Sequence, residues 1–215
     1  MSGRRLVLWR HGRTSWNASQ RFQGQSDIPL DEVGVVQAAA AARVLARLEP
    51  ARLLSSDLQR AMATAAPLAA ATGLAIEAEP RLRETWAGEW EGLTRAEIDD
   101  RYPGELSAWA AGSDLRPGGG ETRREVAVRM VEAIGEVVAA MPADATVVLA
   151  THGGSARAAI GSLIGLPDEH WAALGVLANG NWSVLAENRS GYGPAWRLQE
   201  YNAVSLPVEA LADDR

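Results

Sequence analysis

Cysteine is absent from the 215 residues. That excludes disulfides, thiol nucleophiles, iron–sulfur clusters and thiolate zinc sites. Lysine is absent too, so all 21 basic residues are arginine. Schiff-base chemistry and an intact Walker A phosphate loop both need a lysine and are excluded with it. Abundant alanine beside arginine is the amino-acid bias of a GC-rich genome, so the arginine excess alone says little about function. No apolar run reaches the roughly 18 residues of a membrane span. The first residues lack the apolar stretch of a secretion signal, so a cytoplasmic location is expected. Positive charge is in deficit: 27 acidic against 21 basic residues leave a net charge of −6. Nucleic acids and anionic membranes need a broad basic field, so neither is an expected partner, although a local basic pocket remains open.

The remaining composition, 47% hydrophobic and 22% charged, is that of a folded globular chain rather than a disordered one. Its length suits a single domain over residues 1–215. Arg5–Trp9 is a short apolar strand that runs into Arg10-His11-Gly12. Asp31 is placed to cap a helix with apolar positions at Val36, Ala40, Val44 and Leu48, ended by Pro50. A second strand covers Leu53 to Ser56, and Asp57 would cap the helix that follows, which Gly73 stops. Leu74–Ile76 reads as a third strand. Residues 80–120 hold Trp86, Trp90, Tyr102 and Trp109 among prolines and glycines, with a short helix over Thr94–Arg101. They read as a cap-like insertion over the mouth of the site. A long helix spans Glu121 to Ala140, with Val126, Met130, Ile134 and Val137 or Val138 on one face. Ala145–Ala150 is a buried strand, and Ser155 would cap the helix after it. Trp182–Ala186 and Trp196–Tyr201 read as late strands, the last near an edge, and the tail from Pro207 has no pattern. Alternating strands and amphipathic helices predict a three-layer α/β/α sandwich around a mostly parallel central sheet. Such sheets bind ligands beyond the carboxyl ends of their strands. Three polar clusters, 10–17, 55–60 and 151–155, fall there.

Two of the three histidines, His11 and His152, follow apolar strands and are flanked by glycine. Adjacent parallel strands would bring them to one mouth. His170 lies in a polar turn and reads as structural. Zinc needs three or four ligands, and Asp27, Asp57 and Glu84 are the carboxylates available to join the two histidines, but no histidine spacing of a metal site is present, so no metal is expected. An anion site fits better. Arg10 stands beside His11, Gly12 would let backbone N–H groups approach an oxyanion, and Arg60 offers a second forked cation. Asn17 and Gln23 are neutral donors near by. A neutral imidazole is a competent nucleophile toward phosphorus, and a carboxylic acid must protonate the leaving alkoxide. Glu84 is the best acid, with Trp86 beside it to lower the polarity, and Glu89, Glu91 and Glu97 are rivals. The tryptophans of 86–109, Trp86 and Trp90 above all, are candidates for a stacking wall, against the plainer reading as core.

Five ordered blocks resemble the histidine phosphatase superfamily in its phosphoglycerate-mutase-like branch. The first is Arg10-His11-Gly12-Arg13-Thr14-Ser15-Trp16-Asn17, which carries the family pattern Arg-His-Gly-x-Thr-x-x-Asn. Gln23-Gly24-Gln25 supports it, and Ser55 to Ala65 around Arg60 is the second. Leu82-Arg83-Glu84, Pro117-Gly118-Gly119-Gly120-Glu121 and Val148 to Gly154 around His152 complete the set. The resemblance implies that His11 accepts the phosphoryl group and that Arg10, Arg60 and His152 grip it with help from Asn17. It makes Glu84 the acid and then the base, and sets Gln23 and Gly24 at the substrate mouth. No cofactor is implied, and a phosphate dianion would favour protonated His152. The stretch after Glu84 resembles the phosphatases rather than the mutases. Leu177 to Trp182 and Trp196 to Asn202 are similar to actinobacterial enzymes that release glucosylglycerate from a sugar-linked phosphoglycerate on the way to methylglucose lipopolysaccharide. A broad-specificity phosphatase, a cofactor-dependent mutase and an inactive phosphoester-binding protein are the alternatives. A homodimer formed to cover an edge strand is a further expectation.

Overall fold

The computed structural model describes residues 3–205, so the tail from Pro207 lies outside the described residues. Its centre is a six-stranded sheet in the order β3-β2-β4-β1-β5-β6. The strands are β1 Arg5–Arg10, β2 Arg52–Ser55, β3 Ile76–Ala78, β4 Thr146–Thr151, β5 Trp182–Glu187 and β6 Trp196–Ala203. The first four pair in parallel, and β5 and β6 join antiparallel beyond β1. The helices are α1 Ser15–Ala18, α2 Glu32–Leu45, α3 Gln59–Thr72, α4 Arg95–Arg101, α5 Glu105–Ala110, α6 Arg123–Ala139 and α7 Gly153–Leu163.

Strand alternation explains why helices must cover both faces. In β1, Leu6 and Leu8 enter one core while Val7 and Trp9 enter the other. In β4, Val147 and Leu149 join the first and Val148 and Ala150 the second. The first core takes Val126, Met130 and Ile134 of α6 with Ala156 and Ile160 of α7. The second takes Ala41, Ala42 and Leu45 of α2 with Ala65 and Leu68 of α3. The expected three-layer architecture is the one observed.

Several local expectations need correction. The Asp31 side chain does accept the Gly34 N–H at 2.8 Å, but α2 buries a different face. Gly34, Gln37, Ala38, Ala41, Ala42 and Leu45 are inside, whereas Val36 and Val44 are exposed by 59% and 38%. A strict four-residue repeat spirals around a helix of 3.6 residues per turn, while the small residues at i, i+3, i+4 and i+7 keep to one side. Asp57 caps nothing: its carboxylate receives Arg83 Nε at 2.7 Å, and α3 begins from Leu58 with no side-chain cap. The third strand runs later than expected, over Ile76–Ala78. Ser155 sits inside the first turn of α7, and His152 occupies the cap position.

Residues 80–120 carry short helical turns with α4 and α5. Ala87, Trp90, Ile98 and Leu106 form a small third core of their own, packed by Phe22, Tyr102 and Trp109.

Candidate active site

Sheet register places the two histidines side by side. Arg10 pairs with Thr151 across the parallel strands β1 and β4, so His11 and His152 are the next residues out on neighbouring strands. The His11 N–H donates to the Thr151 carbonyl at 2.9 Å, and the ring centroids are 5.1 Å apart. Ser55 pairs with Ala150, which brings Ser56 of the next strand to the same edge, 2.9 Å from His152 Nε2 through its Oγ. The three polar clusters therefore meet at one rim.

His11 is buried, and its Nδ1 lies 2.7 Å from the Gly12 carbonyl. A carbonyl oxygen only accepts, so Nδ1 carries the proton and Nε2 keeps its lone pair. Burial, then the Arg60 and Arg10 charges, hold the ring well below the ordinary histidine range, against the pull of the Gly12 bond. His152 is fully buried, and burial first, then Arg60 and His11, depress it in the same way. The protein's own groups thus keep His152 neutral, and charging it requires an anion at the site. Its Nδ1 has no hydrogen-bond partner among the described residues.

Arg60, on the first turn of α3, is wholly buried. Its Nη1 and Nη2 donate to the Ser26 and Gly24 carbonyls, each at 2.7 Å. Desolvation pulls its pKa down to about 10. Glu84 reaches the start of α7. Its Oε1 accepts the N–H groups of Thr85 at 2.8 Å and Ser155 at 2.9 Å, and its Oε2 accepts that of Gly154 at 2.9 Å. A β-carbon at position 154 would stand 2.7 Å from Glu84 Oε1, so glycine there permits the contact. Asn17 Oδ1 accepts from the Thr14 N–H and from Asn179 Nδ2, at 3.1 and 3.2 Å.

Arg10, His11, Asn17, Gln23, Gly24, Arg60 and Glu84 all border one cavity of about 660 Å³, with His152 buried beside His11. An imidazole with an unprotonated nitrogen, two guanidiniums and a carboxylate line it, groups that suit phosphoryl transfer. The histidine phosphatase superfamily (branch 1) pattern matches residues 6–203. The chain belongs to that superfamily. A glucosyl-3-phosphoglycerate phosphatase of Mycobacterium tuberculosis is 42% identical over 214 residues, covering 94% of this chain and 96% of its own. A probable phosphoglycerate mutase of Photorhabdus laumondii is 37% identical over 166 residues, 75% of each chain. Among solved structures, a mycobacterial glucosyl-3-phosphoglycerate phosphatase in complex with VO3 superposes with a TM-score of 0.87 at 45% identity, covering 93% of this chain and 99% of that one. The protein is a histidine-phosphatase-type phosphomonoesterase. Among the described residues, no group of three or more histidine or acidic side chains is placed to hold a metal ion. No helix among them is long and apolar enough to cross a membrane.

The rival carboxylates have other partners. Glu91 accepts the Gln25 and Ala87 N–H groups, Glu97 caps α4 at Thr94, and Glu89 accepts the Tyr102 hydroxyl. The Gly12 N–H does not face an oxyanion; it donates to Thr64 Oγ1 at 3.0 Å. Glycine is needed there because a β-carbon would lie 2.3 Å from the Gly34 carbonyl oxygen. Trp86 is 49% exposed and Trp90 is buried in the third core, and neither borders the cavity. Trp16, Phe22 and Trp109 are the aromatics that do. His170 is exposed in a helical turn, away from the site. Sequence reasoning missed Asn179, whose Nδ2 donates to the His11 carbonyl at 3.0 Å and ties it to Asn17. A signal existed: the chain enters the antiparallel β5 at the edge where β1 and β4 exit.

Proposed function

We propose that the protein hydrolyses glucosyl-3-phosphoglycerate to glucosylglycerate and phosphate through a phosphohistidine at His11 Nε2. The observation that carries the chemistry is the Nδ1 bond to Gly12, which leaves Nε2 as the free lone pair beside Arg10 and Arg60. Substrate identity is supported by the relatives of that name and by a cavity large enough for a sugar-bearing ester. In the first step Nε2 forms a bond to phosphorus as the phosphorus–oxygen ester bond breaks. Arg10 and Arg60 neutralise the transferring oxygens, Asn17 donates to them from its amide nitrogen, and His152 offers its unpartnered Nδ1 to one of them. The leaving oxygen takes a proton from Glu84. Two backbone N–H groups occupy Oε1 and one occupies Oε2, so Oε2 is the oxygen with room for that proton. In the second step water gives a proton to Glu84 and its oxygen attacks phosphorus, breaking the nitrogen–phosphorus bond and freeing phosphate. Gln23 and Gly24 border the mouth, and residues 80–120 act as the cap. On this reading the protein works in the cytoplasm without a cofactor, and its product feeds methylglucose lipopolysaccharide synthesis. Self-association through the edge strand β6 belongs to the same proposal, and light scattering reads it as twice the 22.9 kDa mass.

The test is phosphate release from glucosyl-3-phosphoglycerate, 3-phosphoglycerate, phosphoserine and α-ribazole phosphate, each with and without chelator. The sugar-linked ester is expected to give the highest kcat/KM, unchanged by chelator, and His11→Ala to abolish turnover. Preference for another ester would replace the named substrate. Full turnover by His11→Ala would remove the mechanism. A mutase is the second reading, favoured by the relative of that name. It predicts interconversion of phosphoglycerates dependent on 2,3-bisphosphoglycerate, in place of net phosphate release.

A further inference from the structure

The cavity holds a second pair of cations. Arg123 opens α6 and Arg157 lies on the second turn of α7, and both border the cavity. Many arginines among the described residues have a carboxylate partner: Arg13 has Asp31, Arg83 has Asp57 and Arg129 has Glu121. Arg123 and Arg157 have no ion pair and no side-chain hydrogen bond among the described residues, although both are half-buried. Arg123 lies over the Trp109 ring at 4.4 Å, a cation–π contact that holds its guanidinium at the cavity wall. Burial and the charge of Arg157 bring its pKa down to about 10. The cations that act on His11 are a different pair, Arg60 and Arg10. Glu84 offsets part of the burial cost of Arg157, whereas Arg123 meets only burial and the like charge of Arg157, a cost that an added anion would relieve.

We infer that Arg123 and Arg157 form a second anion subsite, which takes a carboxylate on the organic half of the phosphomonoester. The phosphoryl dianion is matched by Arg10 and Arg60, so the second pair answers a second charge on the same molecule. A carboxylate is planar and accepts from guanidinium forks through both oxygens, and Arg123, held against Trp109 at the cavity wall, carries such a fork. The subsite makes the enzyme select phosphorylated hydroxy acids over neutral esters of equal size. It rests on the phosphomonoesterase reading of the His11 cup and does not need the sugar.

Glycerol 3-phosphate and 3-phosphoglycerate isolate the effect, because they differ by a hydroxymethyl group against a carboxylate. The native enzyme is expected to favour 3-phosphoglycerate. In Arg157→Gln, kcat/KM for 3-phosphoglycerate is expected to fall about 10- to 100-fold more than for glycerol 3-phosphate, through KM. Arg123→Gln should behave alike. Arg123→Lys, which keeps charge but not the fork, should fall between. Melting curves confirm that each variant folds. Calorimetric binding of both esters to His11→Ala, with and without Arg157→Gln, reads the same preference without turnover. Equal losses for the two esters, or a native enzyme that ranks them equally while hydrolysing p-nitrophenyl phosphate, would overturn the subsite and leave the phosphatase standing. If no phosphomonoester is hydrolysed but the binding preference holds and vanishes in Arg157→Gln, the subsite stands and the phosphatase reading fails.

Discussion

Glu84 caps a helix and faces the cavity at once, and the two duties pull apart on substitution. Its carboxylate collects three backbone N–H groups, two of them from the first turn of α7. An amide keeps one acceptor and turns the other into a donor. In Glu84→Gln the new NH₂ meets the Gly154 N–H and has no proton for the leaving group. We expect kcat to fall about 10²- to 10⁴-fold and stability to fall by about 1 kcal/mol. Phosphate release and urea denaturation of the same sample check both, and near-native turnover would take the acid role away from Glu84. Much of this site was legible because its polar residues follow short apolar strands, a pattern that places them at a sheet rim whatever the helices do. The reasons were less legible than the positions. Gly12 serves the close approach of Gly34 rather than an oxyanion, and the exposed Trp86 leaves the environment of Glu84 to backbone amides. Asn179 acts through main-chain carbonyls of His11 and Gly12, and contacts to main chain leave no mark in side-chain spacing.

Secondary elements were easier to locate than to orient. Helix α6 follows its apolar stripe, with Val126, Met130, Ile134 and Val137 inside and a capping box of Thr122 and Glu125 at its start. Helix α2 does not follow its valines, because Ala41 and Ala42 pack into the core it shares with α3 and Ala38 is buried on the same side. A sequence rich in alanine gives hydrophobicity little power to choose a face, since size decides which side can approach. Val36→Glu should therefore change stability by less than about 0.5 kcal/mol. Ala41→Leu should cost about 1–3 kcal/mol by overpacking the α2–α3 contact. Urea midpoints rank the two variants, and the opposite order would restore the four-residue valine face.

At the scale of the whole molecule, the parallel register that unites the strand ends also forces two histidines out of water among arginines. The fold therefore carries a pH liability to which each residue contributes. His11 and His152 are both held well below 6.5, by burial first and then by neighbouring cations. In the unfolded chain each takes up a proton near its ordinary value of about 6.5. Below that pH the unfolded state binds more protons than the native one, so stability drops as pH falls. The slope approaches about 1.4 kcal/mol per pH unit for each histidine once the pH is well below 6.5. The carboxylates depressed by arginine partners, such as Asp57 and Glu79, act in the same direction but lower, as pH falls through and below their ordinary values near 4. Between pH 6.5 and 5 the loss thus belongs to the histidines. Urea unfolding at pH 7.5, 6.5, 5.75 and 5 should show little change over the first interval and a growing loss after it. His11→Gln and His152→Gln should each remove about half of that slope, whatever they do to absolute stability, because glutamine takes up no proton. A slope that survives both substitutions would mean that the two rings titrate in the native state much as they do in the unfolded chain.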